Sequence, residues 1–199
     1  AQSLPNPYFH FTYDEQRYAR QIRFASGFAI YNLEYENKRV KKMTNIQNNN
    51  ILLYSYNNEQ VSEINEFSGQ TGNKVFSYRF SYNSLHQLAE IRWFEFSTNS
   101  SGHLFKKSVL SYLADGNLST IESYFDLTGG QLTLEKTDRF SNYDNKTNVD
   151  DFYLVNEFFD TYLFLPQVKL QKNNPLKHEI TGVQNNYEIT YTYDFQNNL

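Results

Sequence analysis

The 199-residue chain contains no cysteine, and it has only four histidines, four prolines, one Trp and one Met. The absence of cysteine excludes a disulfide framework and a thiolate metal site, so folding depends on the apolar core. The histidines lie far apart without a His-x-x-x-His pair, which argues against a zinc site or a nucleophile–base pair. They are His10, His86, His103 and His178. The sequence therefore predicts no catalytic residue, no metal and no cofactor.

Long hydrophobic runs and an excess of positive charge are also missing. No stretch of about 18 apolar residues exists, which is the length that a membrane-spanning helix requires. The net charge is −4, whereas binding to nucleic acid needs a basic face. The densest basic cluster consists of Lys38, Arg39, Lys41 and Lys42. Glu34 and Glu36 offset it, so we interpret it as a solvated strand surface and expect no nucleic-acid partner.

Aromatic residues, by contrast, are abundant. They make up 18% of the chain, with 17 Tyr and 17 Phe, while the hydrophobic fraction is 39%. Tyr and Phe still supply a core because each ring buries a large surface, and a strand tolerates Tyr with its hydroxyl in water. A disordered chain would be poor in aromatic residues. The composition therefore predicts a folded domain that is rich in strands.

Hairpin units repeat along the chain. Residues 31–36 alternate between apolar and polar, which is the period of a half-buried strand. The turn at 37–38 then leads to Val40 and Met43 on a returning strand, and residues 54–64 repeat the same order. Looser copies occupy residues 11–22, 80–91, 110–121 and 191–199. Their turns are rich in Asn, Asp and Gly, which tolerate positive φ, so we interpret each copy as a β-hairpin.

A three-residue step follows the turn in these units. The steps from Val40 to Met43 and from Val61 to Ile64 depart from strict alternation, and they predict a β-bulge that adds twist. Repeated bulges would curl a long meander. The sequence thus predicts an all-β fold, an antiparallel meander of about a dozen strands curled into an open or partial barrel, with one short helix covering an end.

The predicted helix lies in an insertion that spans residues 141–176. Residues 141–151 are polar and loop-like, and residues 152–165 are strongly apolar, with a helical spacing of large side chains. These side chains are Phe152, Val155, Phe158, Phe159 and Tyr162. Pro166 would end the helix. We expect the helix to cover apolar surface and to seal an edge of the sheet.

The polar loop before this segment gathers oxygen ligands between residues 144 and 151, a set that could suit calcium. It lacks the order of an EF-hand loop, because Lys146 occupies the third position and no Gly follows. Asp and Asn also favour loops and helix N-termini for local reasons. We therefore prefer Asp150 or Asp151 as the N-cap of the predicted helix.

The start of the chain bears on location. Residues 1–7 look like a polar leader that remains after a signal peptide or a lipoprotein anchor is removed. Linkers are short, and no Pro- or Ser-rich segment divides residues 8–199, which we expect to form a single domain. We expect a monomeric, exported protein of the periplasm or the cell surface, with a lipid anchor as one mode of peripheral membrane attachment.

The hairpin unit resembles the tyrosine–aspartate repeat, also called the YD or RHS-like repeat. The resembling stretches are residues 33–43, 54–64, 80–91, 112–121 and 191–199. The chain also resembles a family of exported Bacteroidetes proteins of unknown function, often lipoproteins, with a porin-like curled β-meander. Segments similar to that family's late insertion are Tyr143-Asp144-Asn145-Lys146, Leu163-Phe164-Leu165-Pro166 and Lys172-Asn173-Asn174-Pro175. The resemblance implies an envelope location and this fold, and it supplies no catalytic residue.

The favoured function is a non-enzymatic envelope module, binding or structural, with a glycan or a peptide as the favoured ligand. The ligand would lie in the concavity of the sheet near residues 152–165, against Trp93, Tyr153 and Tyr162. A second hypothesis is an interaction scaffold for another envelope protein, which would expose an aromatic patch or an unpaired edge strand.

A third hypothesis is a glycan-acting hydrolase, since that chemistry needs two carboxylic acids across a cleft. Glu90 and Glu95 flank Trp93, whose ring could stack on a sugar. Strand alternation places the two glutamates on opposite faces. This placement disfavours the hydrolase.

Overall fold

The structure is a computed structural model that describes residues 9–24, 29–97, 101–127, 129–148, 150, 152–155, 162–183 and 186–193. All regular structure in these residues is β. The strands are β1 (Phe9–Tyr13), β2 (Ala19–Phe24), β3 (Ile30–Glu36), β4 (Arg39–Asn45), β5 (Ile51–Asn57), β6 (Gln60–Phe67), β7 (Lys74–Tyr82), β8 (Leu88–Glu95), β9 (His103–Tyr112), β10 (Leu118–Phe125), β11 (Thr133–Thr147), β12 (Phe152–Val155), β13 (Leu163–Pro166), β14 (Asn173–Gly182) and β15 (Asn186–Thr190). Among the described residues, no helix has the length and apolarity to cross a membrane.

Thirteen of these strands form one sheet. Its order runs from β1 to β11 and continues with β14 and β15, while β12 and β13 pair with each other in a second sheet. Neighbours pair antiparallel, for example β3 with β4 and β11 with β14. Strand order follows chain order because short turns bring successive strands together. The predicted all-β antiparallel meander is confirmed.

Contacts divide the chain into two compact units. Unit 1 comprises Ala1–Arg79, Trp93–His103 and Phe152–Gln167, and unit 2 comprises Phe80–Arg92, Leu104–Asp151 and Val168–Leu199. The small sheet of β12 and β13 thus belongs to unit 1, and β14 and β15 belong to unit 2. The expectation of a single domain over residues 8–199 stays a prediction.

Each unit has apolar side chains that are at most 1% exposed, most of them at the inward positions of the alternating strands. In unit 1 these are Ile22, Ala29, Tyr31, Val40, Met43, Leu52, Val61, Ile64, Leu163 and Leu165. In unit 2 they are Leu88, Ile91 and Leu118. Full burial of such a side chain stabilises a fold by about 1.5–3 kcal/mol. The aromatic-rich composition therefore does build a core.

The predicted bulges are present. Val40 lies opposite Tyr35 and Lys42 lies opposite Glu34, so Lys41 has no partner residue on β3. The same two-against-one arrangement falls at Arg20, Ser62 and Ser119 in other hairpins. Because each bulge adds a residue, the apolar residues on both of its sides, such as Val40 and Met43, point into the core.

Two kinds of turn connect the strands. In the hairpin of β3 and β4, Asn37 and Lys38 have φ angles of 51° and 65°, as a two-residue type I′ turn requires. In the longer kind, the Asn83 side chain accepts hydrogen bonds from the backbone N–H groups two and four residues ahead. Asp14 has the same role after β1. The Asp and Asn of the repeat are therefore turn-forming residues.

A tyrosine hydroxyl joins consecutive hairpins. Tyr112 donates a hydrogen bond of 2.8 Å to the carbonyl of Leu88, and Tyr143 donates to the carbonyl of Leu118. Each acceptor is the first residue of the strand that follows a turn, and Leu118 lies next to the bulged residue Ser119. Tyr112 and Tyr143 therefore each have a defined partner in the preceding hairpin.

The basic cluster lies on solvated strand surface, as predicted. Its side chains form surface ion pairs, in which Arg39 contacts Glu59 and Lys41 lies 2.7 Å from Glu36. Lys42 Nζ lies 2.5 Å from Glu34 Oε1. Three of the four positive charges of the cluster, those of Arg39, Lys41 and Lys42, are therefore paired with glutamates.

The short helix predicted over residues 152–165 is wrong. Residues 152–155 form β12 and residues 163–166 form β13, and the two strands pair from Phe152 with Pro166 to Val155 with Leu163. Residues 156–161, including Phe158 and Phe159, lie outside the described residues. Aromatic and branched side chains favour strands, and the pairing satisfies backbone groups that the short apolar segment would otherwise leave open. Asp150 therefore precedes a strand, and Asp151 lies outside the described residues.

Candidate functional site

Trp93 lies inside unit 1. It is 5% exposed, and its ring meets the Tyr78 ring edge-on, with centroids 6.4 Å apart and an interplanar angle of 87°. An edge-on pair of this kind is a favourable packing arrangement. Trp93 thus contributes to the core of unit 1.

Tyr162 and Tyr153 also belong to unit 1. The Tyr162 ring stacks on Phe24 with centroids 3.6 Å apart, and its backbone N–H donates to the Tyr31 hydroxyl at 3.2 Å. Tyr153 lies in β12 and is half-buried. The stacked face of Tyr162 is occupied by Phe24, so that face is not presented to a ligand.

Unit 1 also holds a buried polar cluster. Glu66 is buried, and it accepts hydrogen bonds from Asn50 Nδ2 at 2.8 Å and from the Tyr78 hydroxyl at 2.5 Å. Burial raises the pKa of the nearby Tyr31 hydroxyl. These groups are hydrogen-bonded within the fold, as buried polar groups must be. The cluster is therefore part of the core.

The two glutamates of the hydrolase hypothesis lie on β8. Glu90 Oε1 is 2.7 Å from Arg92 Nε, whereas Glu95 is exposed at the end of the strand. Alternation along β8 puts them on opposite faces, as predicted. They do not converge on one cleft.

The oxygen-rich loop is held by its own hydrogen bonds. Asp144 Oδ1 accepts from the backbone N–H groups of Lys146 and Asn174, at 3.0 and 3.1 Å. Asp144 Oδ2 accepts from Asn174 Nδ2 at 3.0 Å. Residues 141–147 are not a loop, because β11 continues through them to Thr147. Asp144 therefore fixes the pairing of β11 with β14.

Unit 2 contains an open groove of about 530 Å³. The groove lies against the turn after β9 and against β10, β11 and β14. Three side chains give it apolar surface, four carry hydroxyl or amide groups, and three are charged. In that order they are Leu113, Phe140 and Tyr143, then Ser119, Thr120, Ser141 and Asn142, then Asp115, Arg139 and Glu179. We call these residues the groove set.

Two irregularities in the strands create the groove. Ser119 is the bulged residue of β10, and on β11 the pairing with β14 shifts after Tyr143. Asn142 has a φ of 54°, a left-handed conformation that Asn adopts more readily than most residues. Because regular alternation is interrupted there, the consecutive residues 139–143 all line the groove.

The aromatic wall of the groove is fixed from behind. Phe140 stacks on His178 with centroids 4.3 Å apart and an interplanar angle of 15°. The imidazole is held on both sides, by Asp138 Oδ1 at 2.9 Å from Nε2 and by the Tyr191 hydroxyl at 3.1 Å from Nδ1. Burial alone would raise the pKa of the Asp138 carboxyl, but hydrogen bonds from His178 and Lys136 outweigh it and hold that pKa below its usual value. The carboxylate, the imidazole and the phenyl ring thus form one rigid support.

The carboxylates of the groove are already engaged. Asp115 Oδ1 accepts the backbone N–H of Asn117 at 2.9 Å, and this hydrogen bond lowers the pKa of Asp115. Glu179 Oε1 lies 3.1 Å from Lys177 Nζ, which also lies 3.0 Å from Glu188. Both acids of the groove therefore carry a negative charge that has a local partner.

Other polar side chains of the groove have no such partner. Within the described part of the chain, Arg139 forms no hydrogen bond or ion pair through its guanidinium, and the side chains of Ser119, Thr120, Ser141 and Asn142 form no hydrogen bond. Arg139 is exposed, and it lies opposite Glu179 in the register of β11 and β14. As far as the described residues are concerned, the groove thus presents an unpaired cation, three hydroxyls and an amide to solvent.

Sequence reasoning missed this groove. It arises where bulged β10, β11 and β14 meet, and the residues from three strands and a turn are up to 66 positions apart (Glu179 against Leu113). The run Arg139-Phe140-Ser141-Asn142-Tyr143 was the available signal, because it mixes a cation, two rings and two polar side chains in consecutive positions. The sequence predicted a loop from residue 141 onward, so the side chains of this run were not considered as the lining of a site.

Comparison with known proteins supports the fold. No family model matches the chain, and no curated protein matches it. A solved structure described as a porin-like protein from Bacteroides uniformis is similar, with a TM-score of 0.56 and 16% identity over 94% of this chain and 77% of that one. A chain of the TcdB2-TccC3-Cdc42 structure has a TM-score of 0.40 and 13% identity, over 91% of this chain and 12% of that one. The chain therefore has a porin-like β fold.

Proposed function

We propose that this protein is a non-catalytic carbohydrate-binding module of the cell envelope, and that the groove of unit 2 is its binding site. The observation that carries the proposal is the set of unengaged donors and acceptors around a fixed aromatic wall. A sugar offers hydroxyls around its rim and C–H groups on its faces. Ser119, Thr120, Ser141 and Asn142 suit the hydroxyls, and the Phe140 ring suits a C–H face.

The size of the groove supports a small ligand. Its volume of about 530 Å³ falls in the range of roughly 300–1,000 Å³ that is typical of small-molecule sites. The wall is rigid because His178 holds Phe140 from behind. A preformed site orders few groups when a ligand binds, so less affinity is lost.

The state of the carboxylates favours binding over hydrolysis. A glycosidase needs a carboxylic acid with a raised pKa to protonate the leaving group. The pKa of Asp115 is lowered by its hydrogen bond to Asn117, and Glu179 is held by Lys177. Asp115 is therefore not prepared for proton donation, and Glu179 is engaged in an ion pair, so the hydrolase is the weaker proposal.

The envelope location rests on the sequence. The likeness to exported Bacteroidetes proteins with YD-like repeats supports export to the periplasm or the cell surface. The porin-like protein from Bacteroides uniformis shares the fold.

A protein-interaction scaffold is the second candidate, and the edge of the sheet favours it. In the described residues the strand order ends at β15, which pairs with β14. Next to this edge Tyr187 is 54% exposed and Val183 is 73% exposed. An extended peptide could add a strand there, with backbone hydrogen bonds to β15.

The test is a glycan array of neutral and acidic oligosaccharides, followed by calorimetric titration of each hit against a groove-filling variant. Ser141→Trp places a large ring in the groove, and Ser55→Trp is the matched control on the exposed face of β5. We expect Ser141→Trp to abolish binding and Ser55→Trp to retain it. Binding that survives Ser141→Trp, or an array without hits, would overturn the proposal and favour the scaffold.

A further inference from the structure

We infer that Arg139 is the specificity-determining residue of the groove and selects sugars that carry a carboxylate. This inference rests on the proposed function, because it assigns a ligand class to the same site. Arg139 is the one groove residue with a permanent positive charge, and no described residue neutralises it. A guanidinium presents a planar fork of N–H donors that matches a carboxylate in a two-point arrangement.

The neighbouring acid does not occupy this guanidinium. Glu179 lies opposite Arg139 in the strand register, yet its Oε1 lies 3.1 Å from Lys177. Lys177 lies between two acids, because Glu188 Oε2 is 3.0 Å from the same ammonium group. The hydrogen bonds that Lys177 donates to Glu188 and Glu179 raise the pKa of Lys177, so it stays charged and keeps Glu179 engaged. The donors of Arg139 remain directed to the groove.

The charge balance of the groove limits the ligand to one carboxylate. Asp115 and Glu179 lie on its rim with Arg139, and a second anionic group on the ligand would meet their negative charges. A phosphate ester carries about −1.5 to −2 at neutral pH, which is more than one guanidinium offsets. A uronic acid carries a single charge, and its hydroxyls can donate to the two rim carboxylates.

Three hydroxyl side chains of the groove also suit an acidic sugar, namely those of Ser119, Thr120 and Ser141. Their hydroxyls are free of hydrogen bonds within the described residues, and each can donate and accept. A sugar ring with hydroxyls beside its carboxylate uses all of them. The carboxylate of a peptide C-terminus would satisfy Arg139 but would leave most of the hydroxyls without partners. The groove therefore fits an acidic sugar better than a peptide end.

The experiment compares two disaccharides of the same linkage, one of galacturonic acid and one of galactose, by calorimetric titration. The wild-type protein is expected to bind the acidic disaccharide at least about tenfold more tightly, the effect of one charge-assisted pair. Arg139→Gln should remove this preference, so that the variant binds the acidic and the neutral disaccharide with the same affinity. Arg139→Lys should restore part of it, because an ammonium keeps the charge without the fork.

Controls separate the inference from the proposed function. Arg20→Gln replaces an exposed arginine at the β2 bulge of unit 1 and should leave both affinities unchanged. Equal wild-type affinities for the two disaccharides would overturn the inference and keep the proposed function. No binding of either sugar would overturn both. Arg139-dependent binding of a peptide with a free C-terminus, without binding of the uronic acid, would also overturn the inference.

Discussion

The hydroxyl of Tyr56 donates a hydrogen bond of 2.9 Å to the backbone carbonyl of Val40, in the hairpin that precedes its own. Val40 stands beside the bulged residue Lys41, where the ladder leaves backbone groups without a strand partner. The tyrosine that makes the repeat recognisable in the sequence thus fills a gap that the bulge of the same repeat opens.

Replacement of Tyr56 by Phe tests this relationship. We expect Tyr56→Phe to destabilise the protein by about 0.5–1.5 kcal/mol, since the buried carbonyl loses its donor. Tyr35→Phe is the matched control. Burial raises the pKa of the Tyr35 and Tyr56 hydroxyls alike to about 12, but the Tyr35 hydroxyl forms no hydrogen bond to a described residue. Urea denaturation measures the difference. Equal losses in the two variants would show that ring packing, not the hydrogen bond, joins the hairpins.

The support behind Phe140 should make stability depend on acid. The pKa of Asp138 is lowered in the folded protein by His178 and Lys136, which outweigh burial. Its stabilisation is therefore complete above the usual carboxyl pKa of about 4 and is lost as the pH falls through the lower folded value. We expect Asp138→Asn to cost about 1.5–3 kcal/mol at pH 7 and progressively less below pH 4.

Denaturant titrations from pH 7 to pH 2 measure this difference between the wild type and Asp138→Asn. The control is Asp150→Asn, which changes an exposed carboxylate and should alter stability at pH 7 by less than about 0.5 kcal/mol. A cost for Asp138→Asn that is constant across the pH range would contradict the assignment of the charge to this support.

Asn117 should hold the segment before β14 in place. Its Oδ1 accepts the backbone N–H groups of Lys172 and Asn173, both at 2.8 Å, and the side chain is fully buried. Asn117→Ala leaves both donors unsatisfied, so we expect a loss of about 2–4 kcal/mol. Hydrogen exchange at these two amides should accelerate relative to Asn32→Ala, which removes an exposed amide on β3. Unchanged exchange would show that other groups hold the segment.

The sequence supports the meander well because its signals are local. Alternation and turn residues fix each hairpin, and the step from Val40 to Met43 locates a bulge at Lys41. Turn chemistry and side-chain periodicity act within about ten residues. The hairpins can therefore be predicted without knowledge of contacts between residues that are distant in the sequence.

The helix error and the missed groove have non-local causes. Helical spacing relates Phe152, Val155 and Tyr162, but the same spacing arises when two apolar strands each face a core. Only the pairing of β12 with β13 distinguishes strands from a helix here. The groove depends on the positive φ of Asn142 and on the approach of β14 to β11. The sequence of residues 139–143 alone does not predict that Glu179 lies beside them.

In the tyrosine–carbonyl hydrogen bonds, the donor is synthesised after its acceptor. The donor lies 16 residues after its acceptor in the pair of Tyr56 with Val40, and 24 residues after it in the pair of Tyr112 with Leu88. Because the chain emerges from its N-terminus during synthesis, the carbonyls of Val40 and Leu88 gain their tyrosine donors only when the next hairpin has been made. At these positions the sheet would grow stepwise from the N-terminal side, and the new hairpin would stabilise the one before it.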